Sequence, residues 1–379
     1  MNFELSEEQL AVQAAARDFA QTELLPGVIE RDTDQKFPIE QIKKMGELGF
    51  MGMMVDPKYN GGGMDTISYV LAMEEISKVD ASASVCMSVN NSLVCWGLES
   101  FGNEEQKEKY LKRLTTGEII GAFCLSEPEA GSDATSQRTT AEDKGDYYLL
   151  NGTKNWITNG KSASVYVVIA QTDALKRHKG INALIVERGM EGFVVGKKED
   201  KMGIRGSDTH SLMFTDVKVP KANRIGDDGF GFTFAMTTLN GGRIGIASQA
   251  LGISAGAYEL ALKYSKERKA FGKHLSEHQA IQFKLADMAT KIDGARLLIW
   301  KAAYLKDQKK DFVKAAAMAK LFASQIAQEV TTEAVQIHGG YGYVKEYHVE
   351  RMMRDAKITQ IYEGTTEIQK MVISRELLR

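Results

Sequence analysis

The sequence has few cysteines, few prolines and no long apolar run, and these shortages exclude several classes of protein. Its 379 residues include three cysteines, Cys86, Cys95 and Cys124, whose number and spacing fit neither a disulfide framework nor a paired metal site. This usage is typical of a reducing compartment. No apolar run approaches the ~20 residues that a membrane-spanning helix needs, so we expect no membrane insertion.

Neither sign of charge is in excess. Lys and Arg number 48 against 50 Asp and Glu, which gives a formal net charge of -2. Proteins that bind nucleic acid need a basic surface for the phosphates, so the balance disfavours that function. The lysine cluster in residues 306–314 is interrupted by Asp307 and Asp311, which predicts a solvated helix end.

The amino-terminal residues 1–9 are acidic. They lack both the basic-then-apolar pattern of a secretory signal and the arginines of a transit peptide. This start favours a bacterial cytoplasmic protein, and a mature mitochondrial matrix enzyme would have the same features. Ser6 and Gln9 have the spacing of a capping box, which predicts that the first helix begins here.

Periodicity divides the chain into three predicted domains. Residues 1–120 have helical patterns, residues 121–229 have short β-type runs, and residues 230–379 have long helical patterns. Pro220 is the last proline, so the third domain can form uninterrupted helices. We predict these helices at 245–265, 276–307, 312–338 and 366–378. Four helices of this length can form a bundle.

The middle domain is predicted to be a small antiparallel barrel or sandwich. Its β-type runs are bounded by Gly, Asn or Asp, and Asn151-Gly152 and Asn159-Gly160 are dipeptides typical of tight turns. Apolar residues on both sides of Asp216 predict two further short strands. The predicted fold class is therefore mainly α with a middle β-domain.

Several common active-site patterns are missing. The sequence has no glycine-rich nucleotide loop. It also has no His or Cys spacing typical of a metal site, so we predict no metal. The segment Gly131-Ser132-Asp133 lacks the flanking pattern of a nucleophile elbow.

Four parts of the chain combine hydroxyl, aromatic, basic and glycine residues in ways that packing alone does not require. They are residues 123–133, 155–160, 267–273, and the paired stretches 336–342 and 361–367. Singly, each has a plainer explanation. Trp156 is more often a core residue, Gly339-Gly340 a helix end, and Arg268 a solvated surface charge.

Together and in this order, these parts resemble the acyl-CoA dehydrogenase family. The motifs are Leu-Ser-Glu-Pro-Glu-Ala-Gly-Ser-Asp, Trp-Ile-Thr-Asn-Gly, Glu-Arg-Lys-Ala-Phe-Gly-Lys, Gln-Ile-His-Gly-Gly and Ile-Tyr-Glu-Gly-Thr. The resemblance covers essentially the whole chain and is closest to the short-chain, butyryl-CoA branch. It implies the acyl-CoA dehydrogenase fold, with an N-terminal helical domain, a middle β-domain and a C-terminal four-helix bundle.

The resemblance implies an FAD-dependent enzyme that converts an acyl-CoA to its trans-2-enoyl-CoA. Glu363 is the implied base that removes the α-proton, and the β-hydride passes to N5 of the flavin. A carboxylate in water is a poor base for this proton, so we expect an apolar pocket to raise its pKa. A relative of the isovaleryl branch carries the base at the position that is Gly242 here, which leaves Glu363 as the candidate.

The same resemblance implies the residues that contact FAD. Those expected at the flavin and pyrophosphate are Phe123, Leu125, Ser126, Ser132, Trp156, Ile157, Thr158, Thr365, Thr366 and Glu367. Those expected at the adenine and diphosphate of an FAD in a neighbouring subunit are Arg268, Phe271, Gln279, Gln336, Ile337, His338, Gly339 and Gly340. An arginine suits a diphosphate because its guanidinium matches phosphate oxygens.

The resemblance also implies contacts to the acyl-CoA. They are Ser132, Asn240, Gly241, Gly242, Arg243, Tyr362 and Gly364. Tyr362 is expected beside the thioester, and the backbone N–H of Glu363 is expected to polarise the thioester oxygen together with a ribityl hydroxyl. The family usually has Asp where this chain has Asn240, so the CoA contact here differs in charge.

The acyl chain length is predicted from the segment 81–102. It contains no Lys or Arg that could pair with a dicarboxylic acyl group, which favours a straight C4–C6 chain. Trp96 is a candidate for the floor of the pocket, and a core role fits it equally well.

Alternative functions stay open on the sequence alone. An acyl-CoA oxidase or flavin monooxygenase on the same fold would pass electrons to O2, although Tyr362-Glu363-Gly364 favours the dehydrogenase. A non-catalytic flavin-fold protein that binds nucleic acid is disfavoured by the charge balance. The family resemblance implies electron-transferring flavoprotein as the acceptor and a homotetramer, a dimer of dimers, as the assembly.

Overall fold

The computed structural model describes residues 4–379, so residues 1–3 of the acidic start lie outside the described residues. The first helices are α1 (Glu7–Phe19), α2 (Val28–Thr33), α3 (Ile39–Glu47), α4 (Thr66–Ser77), α5 (Ala81–Ser88), α6 (Trp96–Phe101), α7 (Glu104–Gln106) and α8 (Lys112–Thr115). The strands that follow are β1 (Gly121–Cys124), β2 (Thr140–Asp143), β3 (Tyr147–Thr158), β4 (Val165–Gln171), β5 (Ile181–Glu187), β6 (Phe193–Lys198), β7 (Thr209–Pro220) and β8 (Arg224–Ile225). The chain continues with α9 (Gly231–Glu267), the hairpin β9 (Lys269–Ala270) and β10 (Lys273–His274), α10 (Gln279–Asp307), α11 (Val313–His338), α12 (His348–Ile358) and α13 (Thr366–Leu377).

The first helical stretch begins as its capping residues predict. Ser6 accepts a hydrogen bond from the backbone of Gln9, and the Gln9 side chain accepts one from the backbone of Ser6, so the capping box is confirmed. Farther along, α5 continues through a π-helical segment, Val89–Cys95, into α6. Such a bulge changes the direction of the side chains that follow it, and it often occurs at functional sites.

The strands form one mixed sheet whose order is β6-β7-β3-β2-β4-β5-β8, with β1 parallel to β4. Strand β4 is buried on both faces. Val165, Val167 and Ile169 belong to the core shared with the helices, whereas Tyr166 and Val168 belong to a second core of the sheet itself. The helices therefore pack directly on the sheet.

Two local predictions for the sheet are wrong. Asn151-Gly152 forms no turn but lies inside β3, at a bulge opposite β7. Asp216, expected between two strands, lies inside the single strand β7 with a φ of 52°. The reason is a reciprocal pair of bonds, since Asn151 Nδ2 donates to Asp216 Oδ1 (3.0 Å) and Asp216 N donates to Asn151 Oδ1 (2.8 Å). These bonds replace ladder pairing across the irregularity, so both strands continue.

Long helices dominate the carboxyl-terminal stretch, as predicted, but α9 begins earlier than expected and α12 was not predicted. Helix α9 approaches α4 closely at a glycine: a Cβ on Gly252 would lie 2.4 Å from the backbone oxygen of Glu74. Helix α12 joins all three parts of the molecule. Arg354 pairs with Asp32 at 2.8 Å, and Asp355 accepts a hydrogen bond from the backbone of Ile204.

The lysine cluster at the end of α10 is only partly solvated, which corrects the interpretation of residues 306–314. Lys306 Nζ lies 3.5 Å from Met54 Sδ and 5.8 Å from the centroid of the Trp96 ring, and burial lowers its pKa to about 8. Asp307 accepts two bonds from the backbone N–H of Thr66 at the start of α4. These residues join α10 to the first helices.

Within residues 4–379, no helix combines the length and the apolar composition needed to cross a membrane. The same residues contain no group of three or more His, Cys, Asp or Glu side chains placed to hold a metal ion.

A buried ion pair fastens the loop after β1 to β3. Lys154 Nζ donates to Glu127 Oε1 (2.7 Å), to Leu125 O (3.0 Å) and to the side chain of Gln137 (3.2 Å). Glu127 also accepts from the backbone N–H of Arg138. Both charged side chains are buried, so each depends on the other for compensation.

We expect Glu127→Gln to lower the free energy of unfolding by about 3 kcal/mol, because the ammonium group of Lys154 is left buried without its counter-charge. The matched control is Glu142→Gln, which removes an exposed partner of Lys144 and should change stability by less than about 1 kcal/mol. Chemical denaturation followed by tryptophan fluorescence measures both. Equal effects in the two variants would contradict the buried pair's structural role.

Candidate active site

Glu363 lies in the loop between α12 and α13, in a backbone conformation that few non-glycine residues adopt. Its φ is 51°, and that of Gly364 is 92°, so two successive left-handed residues turn the chain here. The φ of Gly364 favours glycine, and a Cβ there would lie 2.7 Å from Gln369 Nε2 and so would push that amide aside. A left-handed glutamate persists only where its surroundings hold it in place.

Two buried side chains hold the carbonyl groups of this loop. Lys320 Nζ, from α11, donates to Gly364 O over 2.7 Å. Gln369 Nε2, from α13, donates to the same oxygen over 2.8 Å and to Glu363 O over 3.3 Å. Both side chains have no exposed surface. The loop is therefore tied to two helices of the bundle.

The carboxylate of Glu363 faces helix α9 at a glycine. A Cβ on Gly242 would lie 2.2 Å from Glu363 Oε2 and 2.8 Å from Leu93 Cδ2, so any side chain at this position would displace the carboxylate. Oε2 is buried and accepts no hydrogen bond from the residues that the structure describes. Leu93, from the π-helical segment, adds an apolar wall.

Burial and two neighbouring cations set the charge state of this carboxylate. Burial raises the pKa of Glu363 to about 7, against the opposing pull of Lys320 and Arg243. Burial also lowers the pKa of Lys320 to about 7 and that of Arg243 to about 10. A carboxylate with its pKa near neutrality combines a large ionised fraction with high basicity, which is the condition for a general base at neutral pH.

Helix α9 also carries four of the seven predicted acyl-CoA contacts, Asn240, Gly241, Gly242 and Arg243. The guanidinium of Arg243 donates through Nη1 to Asn240 Oδ1 over 2.7 Å, and its Nε is buried without a partner among the described residues. Asn240 therefore gives the buried arginine a neutral partner, where an aspartate would give it an opposite charge. Gly241 is buried beside them.

Tyr362 is anchored by a residue that sequence reasoning missed. Its hydroxyl donates to Gln249 Oε1 of α9, and Gln249 Nε2 in turn donates to Ala81 O (2.9 Å) and Ser84 Oγ (3.0 Å). Burial raises the pKa of Tyr362 well above its ordinary value. The phenol is therefore a neutral, fixed group next to Glu363.

Trp96, a candidate for the pocket floor with a core role equally open, packs among other helical residues. Its ring makes an edge contact with Phe101 at 5.8 Å and lies below Lys306. Leu93, one turn earlier, is the residue of this helical segment that borders Glu363. Regular helical periodicity does not predict the position of Leu93, because a π-helical turn changes which side chains point inward.

The segment that follows β1 runs beside β3. Ser126 O accepts from Asn155 N at 2.9 Å, and Phe123 stacks on Phe234 with 6.4 Å between ring centroids. Leu125 is half-buried, whereas Ser132 is exposed. This places the first predicted flavin segment next to the strand that carries the second.

Trp156 is not a core residue, because 62% of its surface is exposed. Its φ of 61° marks a second bulge in β3, where the register with β7 shifts between Lys154 and Ile157. The Ile157 side chain is buried in the sheet core, and so only its backbone is free to meet a ligand. Thr158 is half-buried and pairs with Thr209. The bulge aims one large aromatic ring outward.

At the start of α13, Thr365 has the plain structural role of a helix cap. Its hydroxyl accepts from Ile368 N at 3.4 Å. Thr366 N donates to Gln360 O at 3.0 Å, and Glu367 is exposed in the first turn of the helix. These residues follow Glu363 directly, so they share its surroundings.

A second group of predicted residues surrounds a separate cavity of about 500 Å³. Its lining residues are Tyr264, Arg268, Leu275, Ile337, His338, Gly339, Gly340, Tyr341 and Val344. His338 stacks on Tyr264 with 4.3 Å between ring centroids, and the Arg268 guanidinium lies 5.5 Å from the centroid of the Tyr341 ring. None of the side chains described around Glu363 lines this cavity.

The remaining residues of this second group are exposed. Phe271 has 95% of its surface exposed and a φ of 53°, at the tip of the hairpin before α10. Gln279 and Gln336 are also exposed. The plainer explanation of Arg268 as a solvated charge is thus incomplete, because it borders a cavity with aromatic and glycine walls.

Lys320 was also missed, although the sequence holds a signal for it. It is the one lysine within Ala315–Ala327, where Ala316, Ala323 and Ala327 stand four before, three after and seven after it. That spacing puts Lys320 on the buried face of α11. A lone lysine on an apolar helix face needs a buried partner.

Three family models match the chain in sequence order. They describe the N-terminal domain (residues 6–118), the middle domain (residues 122–217) and the C-terminal domain (residues 229–378) of acyl-CoA dehydrogenase. The short-chain specific acyl-CoA dehydrogenase of Clostridium acetobutylicum is 50% identical over 379 residues, with both chains covered in full.

Solved structures agree with the family models. Butyryl-CoA dehydrogenase from Megasphaera elsdenii has 50% identity and a TM-score of 0.98, with both chains covered in full. A chain from a study of the electron transferring flavoprotein of Acidaminococcus fermentans and flavin-based electron bifurcation has 54% identity and a TM-score of 0.99, again with full coverage. The chain belongs to the acyl-CoA dehydrogenase family.

Proposed function

We propose that the enzyme oxidises short-chain acyl-CoA thioesters to trans-2-enoyl-CoA, with Glu363 as the base that removes the α-proton. The observation that carries the proposal is the state of its carboxylate. Its Oε2 is buried with no hydrogen-bond partner among residues 4–379, Gly242 leaves space for it, and burial raises the pKa of Glu363 to about 7. A buried carboxylate with a raised pKa is a stronger base than a solvated carboxylate.

The surroundings of Glu363 fit proton transfer in an apolar space. Leu93 and Gly242 keep that side of the carboxylate free of competing donors. The loop held by Lys320 and Gln369 fixes the backbone N–H of Glu363, which is our candidate donor to the thioester oxygen as negative charge develops there. Arg243, Tyr362, Gly364 and the segment around Ser132 are the candidate contacts to the rest of the acyl-CoA.

The residues present fit FAD. The exposed ring of Trp156, beside Phe123, Leu125, Ser126 and Thr158, offers a surface for a flat aromatic group. When bound, FAD supplies the acceptor for the hydride from the β-carbon. At the second cavity, Arg268 offers a cation for a diphosphate, and a Cβ on Gly339 or Gly340 would meet no atom within 4 Å, so the backbone there is open to a ligand.

A short acyl chain fits the wall of α9. One turn beyond Gly242, a Cβ on Gly245 would lie 2.7 Å from the hydroxyl of Tyr69 and 2.6 Å from Ser88 Oγ. The Tyr69 hydroxyl also lies 2.9 Å from Ser92 Oγ. These hydroxyls and Leu93 leave little room along the helix, which supports a straight C4–C6 substrate.

We further propose electron-transferring flavoprotein as the electron acceptor and a homotetramer as the assembly. The Acidaminococcus chain supports the acceptor, because it comes from work on that flavoprotein. Exposed Phe283, Leu297 and Tyr304 support the assembly. They are spaced by multiples of seven along α10 and so form one apolar stripe on the outside of the bundle.

Anaerobic addition of butyryl-CoA to the FAD-loaded enzyme should bleach the flavin, and Glu363→Gln should slow that bleaching by at least about 10²-fold, since the amide cannot accept the α-proton. Stopped-flow absorbance measures the rate. Glu40→Gln, an exposed glutamate on α3, is the control and should bleach as the wild type does. Bleaching of Glu363→Gln at the wild-type rate would show that another group is the base. Rapid reoxidation of the reduced wild-type enzyme by air, with peroxide release, would instead indicate an oxidase.

The raised pKa of Glu363 predicts the pH dependence of kcat/KM. The ionised carboxylate is the active form, so the rate should fall about tenfold per pH unit below about pH 7 and level off above it. An ordinary glutamate would place the break near pH 4. Steady-state rates with butyryl-CoA from pH 5.5 to 9 provide the test, and a flat profile between pH 5.5 and 7 would contradict it.

Chain-length preference provides a further test. We expect kcat/KM to be highest for butyryl-CoA or hexanoyl-CoA and at least about tenfold lower for octanoyl-CoA, because additional methylene groups must displace buried side chains beside α9. Steady-state rates over the series C4 to C12 measure this. A maximum at C8 or longer would contradict the proposed pocket.

A further inference from the structure

We propose that Lys320 is a positioning residue for the reaction, because its buried ammonium group donates to the carbonyl oxygen of Gly364, the residue that follows Glu363. The inference rests on the proposed role of Glu363 as the base. The proposed role has two parts. Lys320, which is distant in sequence, fixes the orientation of the Glu363 loop and lowers the pKa of Glu363.

The contacts of Lys320 differ from those of a side chain that only fills space in the core. Lys320 has no exposed surface, and its buried neighbours on the same face of α11 are Ala316, Ala317, Ala323 and Ser324. Burying an ammonium group is costly unless a polar or charged partner compensates it. Gly364 O already receives a bond from Gln369, so the carbonyl does not need the lysine to be satisfied. The lysine adds a second helix, α11, to the support of the left-handed turn at Glu363 and Gly364, which Gln369 ties to α13.

The second part of the role is electrostatic. The groups that face Glu363 or its cations are Tyr69 from α4, Arg243 from α9, Lys320 from α11, the neighbouring Tyr362, and Glu367 and Arg375 from α13. Of the two cations that oppose the effect of burial on Glu363, Lys320 has the larger effect. Loss of its charge therefore raises the pKa of Glu363 further, and a smaller fraction of the base is ionised at neutral pH.

The test compares three variants in the FAD-loaded enzyme. Lys320→Met removes the charge and the donor, Lys320→Gln keeps a donor for Gly364 O without the charge, and Lys314→Met removes an exposed lysine from the same helix as a control. The readout is exchange of the α-protons of acetyl-CoA in D2O, followed by NMR from pH 5.5 to 9. Acetyl-CoA has no β-carbon and loses no hydride, so exchange reports on the base alone. Flavin absorbance and the melting temperature record cofactor content and folding.

Burial lowers the pKa of Lys320 to about 7, so its ammonium group is only partly charged at the midpoint of the exchange profile. We therefore expect both Lys320 variants to shift that midpoint upward by up to about one pH unit, and Lys314→Met to leave it unchanged. At high pH, Lys320→Gln should retain most of the wild-type exchange rate, whereas Lys320→Met should lose at least about tenfold because the loop is less well held. A purely structural lysine would lower the melting temperature or the FAD content without moving the midpoint.

An unshifted midpoint in Lys320→Gln overturns the inference, and this variant decides alone if Lys320→Met does not fold. Glu363→Gln separates the two proposals. If that variant still exchanges the α-protons at the wild-type rate, the base has been assigned wrongly. If it is inactive while the Lys320 variants keep the wild-type profile, only the role of Lys320 is wrong.

Discussion

The burial of the Glu363 carboxylate is the constraint on which the arrangement of the residues around it depends. Burying Glu363 costs free energy that hydrogen bonds to the carboxylate would reduce, but such bonds would also weaken it as a base. No residue in the described range donates to Oε2, and the backbone is fixed instead, through the bonds that Lys320 and Gln369 make to the loop carbonyls. Gly242 then supplies the space that the carboxylate occupies.

This arrangement depends on contacts among all three parts of the chain. Helix α12 directly precedes the Glu363 loop, and its Arg354 and Asp355 bind the first helical stretch and the segment before β7. Burial raises the pKa of Asp355 to about 6, so even a residue with a purely structural role pays a desolvation cost here. Helix α9 meets α4 closely at Gly252, and the same helix meets the Glu363 carboxylate at Gly242. The candidate active site thus depends on the packing of the whole molecule rather than on one segment.

The sequence predicted features that depend on neighbours along the chain. The capping box at Ser6 and the long proline-free helices follow from residues within one or two turns. Predictions failed where a distant partner decided the outcome. Asn151-Gly152 would turn the chain in isolation, but the bonds between Asn151 and Asp216 of β7 keep both strands extended. Likewise, the buried environment of Lys306 comes from Met54 and Trp96, far from it in the sequence.

The sequence by itself determined the order of helices and strands, the resemblance to a family, and Glu363 as the candidate base. Motifs and periodicity involve residues that are close together in the chain, so the sequence alone is enough to identify them. Tertiary structure decided the exposed position of Trp156, the apolar wall at Leu93, and the pairing of Lys320 with the Glu363 loop. The physical reason is that a pKa and a carbonyl's partner depend on what is packed nearby in space. Lys320 on α11 and Glu363 after α12 affect each other only because the helices pack together in the folded protein.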